Sequence, residues 1–180
     1  KMLKAHIYVK NPKAIETAGY LTHVFTDKTG TLTYGKMAVA NLVTGDAIVH
    51  ETLGTIAETL LEEIAIGGGV NNDATISSEG KAIGSNDTDR ALLTFLAIDN
   101  QIPVDKGMVS TKEPFDSKVK YAAVTLQDGS RYLKGAPDII MLGCTSYLDK
   151  DGEQQAMSEE ALKKLKETWA EQTDRAMRVI

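Results

Sequence analysis

The stretch KYAAVTL (Lys120–Leu126), QDGS (Gln127–Ser130), RYLK (Arg131–Lys134) decides how this chain reads. Two short runs rich in β-branched and aromatic residues flank Asp128-Gly129, a dipeptide that tolerates positive φ, so the segment predicts a β-hairpin. Gly107 to Lys112 is a third extended run just upstream, and the three together argue for an antiparallel sheet. Helical patterns lie on either side. Glu51 to Ala65 carries Leu53, Ile56, Leu60, Leu61 and Ile64 near helical spacing, and Thr88 to Ile98 opens a second helix with Thr88 or Asp87 as N-cap. Pro137 to Leu142 reads as a helix start, and Ser158-Glu159-Glu160 caps a last helix to about Arg175 with Leu162, Leu165 and Trp169 on one face. Gly67-Gly68-Gly69, followed by Val70-Asn71-Asn72-Asp73, reads as a helix C-cap and connecting loop. The pattern predicts an α+β fold, an antiparallel sheet flanked by helices.

The N-terminal quarter reads differently. Ala5 to Val9 alternates loosely as a strand, and Asn11-Pro12 supplies an N-cap and a first-turn proline for a short helix, Pro12 to Ala18, closed by Gly19. Leu21 to Thr26 (LTHVFT) is apolar on both faces, as a strand buried in a parallel sheet is. It ends at Asp27. After Gly30, Lys36 to Val43 alternates again.

Composition bounds the function. The 180 residues are 42% hydrophobic and 25% charged with a formal charge of -5, an ordinary globular balance with room for one good core. No cluster of Lys or Arg stands out, which disfavours nucleic acid as a partner. Cys144 stands alone and cannot form an intramolecular disulfide; it reads as a small buried hydrophobe. The best apolar run, Leu92 to Ile98, is far short of the roughly 20 residues a membrane helix needs, so a soluble piece is expected. The chain starts KMLKAH without a signal-peptide core and stops in the apolar Met177-Arg178-Val179-Ile180, which reads as an excised piece. His6, His23 and His50 are scattered singly, without metal-site spacing, and read as surface or core histidines.

Asp27-Lys28-Thr29-Gly30-Thr31-Leu32-Thr33 directly follows the expected parallel strand, at the edge where ligands bind in open α/β sheets. A carboxylate placed there is a candidate nucleophile toward phosphorus, provided Mg²⁺ and nearby donors offset the charge on both reactants. Gly30 allows a tight turn with its N–H groups toward a phosphate, and the hydroxyls of Thr29 and Thr31 can donate to it. By composition alone the segment is an ordinary polar turn.

The full heptad DKTGTLT nevertheless resembles the signature of the P-type ATPases, ion pumps that form an aspartyl-phosphate. The resemblance runs upstream through VKNPKAIETAGYLTHVFTDKTGTLT and downstream to two further motifs in the family's order. Lys134-Gly135-Ala136-Pro137-Asp138 resembles the KGAPE-type motif of the family's nucleotide-binding domain, and Pro114-Phe115-Asp116-Ser117 with Lys120 resembles its PF-x-S element. The resemblance implies residues 1–40 as an incomplete first part of a phosphorylation domain and residues 41–180 as a nucleotide-binding domain. It implies Asp27, Lys28 and Thr29 as catalytic, with the Asp27 side chain and the Thr29 backbone carbonyl as ligands to Mg²⁺. Its implied nucleotide site takes Phe115 to stack on adenine, Lys120, Lys134 and Gly135 to hold ATP, and Arg178, or Arg175 in another register, to reach phosphate. Asp89 stands at the family's acidic helix start, with Asp for the commoner Glu, and is expected to accept from the adenine amino group.

The implied partners are ATP and the remainder of the same pump: its transmembrane, actuator and second phosphorylation-domain parts, at the cytoplasmic face of a membrane. With those parts missing, the first 40 or so residues are expected to be poorly supported or packed unusually, and the piece is expected to bind nucleotide without turnover. The rival enzyme is a soluble haloacid-dehalogenase-like phosphatase. That superfamily usually keeps a second aspartate two positions on, where this chain has Thr29.

Overall fold

The computed structural model describes residues 4, 8–11 and 13–180, so the expected strand Ala5 to Val9, His6 and Pro12 fall wholly or largely outside it. The chain divides into two compact units, Lys1–Lys36 and Met37–Ile180. In the first, helix α1 (Lys13–Gly19) begins where Asn11 Oδ1 accepts from Lys13 N at 3.1 Å, and it buries none of its side chains. Leu21 to Thr26 is not a strand. It is irregular chain with Leu21, Val24 and Phe25 exposed, Phe25 to 95%. A parallel strand exists only by pairing with neighbours, and this unit supplies none among the described residues.

The second unit holds four small antiparallel sheets. Strands β1 (Leu42–Val43) and β2 (Val49–His50) pair, so the alternation over Lys36 to Val43 becomes a strand only at its end. Strands β3 (Thr75–Ile76) and β4 (Ala82–Ile83) form a second ribbon. The main sheet has the order β5 (Val109–Asp116), β6 (Tyr121–Leu126), β7 (Arg131–Gly135), and β8 (Ser146–Leu148) pairs β9 (Gln154–Ala156). The hairpin forms as its sequence predicts: Gly129 sits at φ +89°, Asp128 Oδ1 accepts from Ser130 N, and Thr125 pairs Arg131. β6 is the central strand. Ala122, Ala123, Val124 and Leu126 are all buried, so it is covered on both faces.

The helices depart from their expected bounds in instructive ways. Glu51 to Ala65 splits into a 3-10 turn (Leu53–Thr55) and α2 (Glu58–Ile64). Gly54 weakens a helix there, Ile56 is extended and buried in the core, and Ala57 N donates to Lys150 O at 2.9 Å. The glycine run is not a C-cap: Ala65–Val70 continues as a π-helical turn, and Gly67, Gly68 and Gly69 have no left-handed φ. A Cβ on Gly69 meets Val104 Cγ2 at 2.7 Å, so the glycine serves close packing.

Helix α3 (Asp87–Leu93) is capped by Asn86, not by Thr88 or Asp87 as expected, because the Asn86 side chain accepts from Thr88 N, and it runs on as a second π turn, Thr94–Asp99. Next comes α4 (Pro137–Ile140), and α5 (Glu159–Asp174) starts at Ser158, whose Oγ accepts from Ala161 N as expected.

One core cluster joins Leu53, Ile56 and Leu60; the other joins Val70, Val124 and Leu126 beneath the main sheet. His50 is a satisfied core histidine between Thr44 Oγ1 (3.0 Å) and Thr55 Oγ1 (2.9 Å), while His23 is exposed. Cys144 is a half-buried free thiol. No described helix is long and apolar enough to cross a membrane.

Candidate functional site

A cleft of about 380 Å³ opens in the second unit, walled by the turn 71–73, the start of α3, the β5–β6 corner, the end of β7 and the segment Arg178–Ile180. Asp89, Phe115, Lys120, Lys134, Gly135 and Arg178 all line it. Arg175 is not among its walls; it closes α5 with its Nη1 3.4 Å from Gln172 Oε1. Of the two arginines, Arg178 is the one that lines the cleft, its Nη1 donating to Thr88 Oγ1 at 3.2 Å.

Local structure explains how each side chain reaches the cleft. The register of β5 against β6 shifts between Glu113 and Asp116, which turns Phe115 out of the sheet and leaves its ring 57% exposed. Phe115 is therefore not a core ring. Lys120 closes the corner with φ +62°, a conformation uncommon outside glycine, and its Nζ lies 3.6 Å from Asp138. Gly135 pairs with Tyr121, and a Cβ there runs into Lys120 O and comes within 2.6 Å of Tyr121 Cα.

Lys134 and Asp89 form the one ion pair among the described residues in which both side chains are largely buried, 14% and 7% exposed, with Nζ 2.7 Å from Oδ1. Lys134 Nζ also donates to Asn71 O.

The turn 71–73 is the part of the site that sequence reasoning missed. Asn72 is fully buried and fully bonded: Nδ2 donates to Gly68 O and Asp89 O, each at 2.9 Å, and Oδ1 accepts from Ala74 N at 2.8 Å. Asn71 Nδ2 bridges Ala122 O (3.1 Å) and Tyr132 O (3.2 Å), while its buried Oδ1 has no hydrogen-bond partner among the described residues. Lys112 Nζ holds Asp73 Oδ1 at 2.6 Å and Asn72 O at 2.9 Å, and Lys106 Nζ donates to Asn72 O and Ala74 O. No periodicity marks such residues, because paired asparagines after glycines have the composition of any solvated loop.

The charges are unevenly spread. Lys112, Lys120, Lys134 and Arg178 line the cleft with Asp73 and Asp89, and Asp138 lies beside Lys120, which leaves four cationic side chains against three carboxylates in a chain of net charge -5. Burial holds Lys106 below the usual lysine range, with Lys112 adding repulsion. The hydrogen bond from Lys112 holds the Asp73 carboxyl below its ordinary 3.8, against a smaller opposing effect of burial. A depressed carboxyl contributes stability that is complete above its unfolded value and lost as pH falls through the folded one. The stability difference between the wild type and Asp73→Asn is therefore expected to be constant above about pH 5 and to vanish in acid, as read from thermal melts between pH 6 and pH 2. A difference that persists at pH 2 rules this out.

Asp27, Lys28 and Thr29 belong to the first unit. They are exposed in a turn where Lys28 O accepts from Leu32 N at 2.9 Å and Thr33 N at 3.2 Å, with Gly30 at φ +77°. Magnesium takes one or two carboxylates, keeps several waters and shares phosphate oxygens. Asp27 offers a single carboxylate, and no group of three or more His, Cys, Asp or Glu among the described residues converges as a metal site. Asp27 and the Thr29 carbonyl therefore fit as part of a magnesium site, one carboxylate and one carbonyl, and not as a whole one.

A family model described as P-type ATPase, cytoplasmic domain N, matches residues 60–180. The chain belongs to the P-type ATPases. It is 36% identical over 191 residues to a calcium-transporting ATPase of Listeria monocytogenes and 30% identical over 189 to calcium-transporting ATPase 1 of Lactococcus lactis. Each comparison spans 100% of this chain and 21% of the relative. Plasma membrane calcium-transporting ATPase 4 of Bos taurus is 31% identical over 175 residues, 85% of this chain and 14% of that protein. The chain thus spans about a fifth of the length of the two bacterial relatives. Relatives named as transporting ATPases tell against the soluble phosphatase alternative.

Proposed function

We propose that residues 41–180 bind ATP in the cleft, and that residues 1–40 carry the acceptor of its γ-phosphate, as part of a pump that moves a cation across a membrane. The observation that carries the reading is the half-exposed Phe115 ring in a cleft of suitable size among Lys120, Lys134 and Arg178. A purine has an apolar face for the ring, and its phosphates are matched by the cationic excess. Asp27 is the nucleophile: a carboxylate oxygen attacks the γ-phosphorus, the bond to the β-phosphate oxygen breaks, and ADP leaves. Asp27 and the Thr29 carbonyl would be among the groups that hold Mg²⁺ in the pump, and the ion would supply charge neutralisation there. Calcium, named in the relatives, is the cation proposed.

This chain by itself binds nucleotide without turnover, since Asp27 brings too few ligands to assemble the metal site. Titration calorimetry with ATP and with ADP tests the reading, the two being expected to bind alike. Phe115→Ala is expected to weaken ATP binding by about 1–3 kcal/mol, the usual worth of base–aromatic stacking. Its melt is expected to stay within about 1 kcal/mol of the wild type, because the ring is 57% exposed. Equal affinity of variant and wild type removes Phe115 from the site.

A further inference from the structure

The family resemblance gives the Asp89 carboxylate to the amino group of the base, but in this structure both of its oxygens are already engaged. Oδ1 takes Lys134 Nζ at 2.7 Å and Oδ2 takes Asp73 N at 2.9 Å, while its backbone carbonyl takes Asn72 Nδ2 at 2.9 Å. Aspartate is one methylene shorter than glutamate, and here the short side chain, 7% exposed, is held within the cleft wall by these donors. The Lys134 ammonium has three donors; Asp89 Oδ1 and Asn71 O use two, which leaves one for a ligand.

From this network we infer that Asp89 is a positioning residue: it aims the free donor of Lys134 and fixes the Asn71–Asp73 turn, and it does not touch the base. The inference rests on the nucleotide reading of the cleft. It separates two properties that a direct contact joins, overall affinity and the choice of base.

The test compares ATP with inosine triphosphate, which carries the same sugar and phosphates but presents an oxygen where adenine presents its amine. In the 180-residue chain, Asp89→Asn is expected to raise both dissociation constants by the same factor, about tenfold for a lost charged hydrogen bond. The ATP-to-inosine-triphosphate ratio stays at its wild-type value. In a Lys134→Met background, Asp89→Asn is expected to cause no further loss of affinity, because nothing is left for it to aim. A collapse of the ratio in Asp89→Asn overturns the inference in favour of direct base contact. An equal loss with and without Lys134 overturns it in favour of a purely structural role. Should Asp89→Asn melt without cooperativity, the double variant, which leaves no unpaired buried charge, is compared with Lys134→Met: a changed ratio overturns the inference in favour of base contact, and a further loss of affinity overturns it in favour of a structural role. A wild-type chain that binds neither nucleotide overturns the nucleotide reading itself, and this inference with it.

Discussion

Gly135→Ala is expected to lose about 3 kcal/mol or more and to disorder the end of β7, the largest effect of any single methyl group around the cleft. A Cβ at this position meets backbone: Lys120 O, and Tyr121 Cα at 2.6 Å. Backbone in a paired strand cannot swing aside as a side-chain tip can, so the clash is relieved only by separating β6 from β7. Gly143→Ala is the control, since nothing lies within 4 Å of a Cβ there, and its melt is expected within about 0.5 kcal/mol of the wild type. Circular dichroism melts check both. If Gly135→Ala melts with its control, the close approach of the strands is not what requires the glycine. The family resemblance implies that this glycine helps to hold ATP; it lines the cleft, and the direction a Cβ would take is filled by the neighbouring strand.

Lys134→Met is expected to destabilise the chain by about 3–5 kcal/mol, the usual consequence of removing one partner from a buried ion pair. The carboxylate it abandons, on Asp89, is 7% exposed, and only Asp73 N then remains as its donor. Adding Asp89→Asn removes the stranded charge, so the double variant is expected to be more stable than Lys134→Met alone. Chemical denaturation of the four proteins gives the coupling directly, and additive losses exclude an energetically coupled pair. A reading of Lys134 as a ligand contact alone predicts weaker ATP binding with folding intact. The geometry adds a stability role to that, and affinity data for this position need correcting for the folded fraction.

The sheet was legible because its signals are local: Asp128-Gly129 dictates a hairpin whatever surrounds it, and Ser158 caps α5 from within one turn. The six cleft residues of the second unit were legible only through motif resemblance, since a lone lysine or phenylalanine has no pattern of its own. What stayed hidden depended on distant partners. Gly68 and Gly69 look like a helix stop until Leu96 and Val104 pack against them. Asn71 and Asn72 look solvated until strand and helix carbonyls close over them. Leu21 to Thr26 has every local mark of a buried strand and lacks only the neighbours that make one.

The walls of the cleft come from five separate stretches between Asn71 and Ile180. No early intermediate can own it: during synthesis the lysines and the aromatic ring emerge well before Arg178, and the long-range closures that bring them together are the slow steps of folding. A ligand that needs all five walls binds the finished unit alone and draws the folding equilibrium toward it, by about 2.7 kcal/mol at a hundredfold excess over its dissociation constant. Occupancy of the cleft is therefore also a report on the completeness of the chain around it.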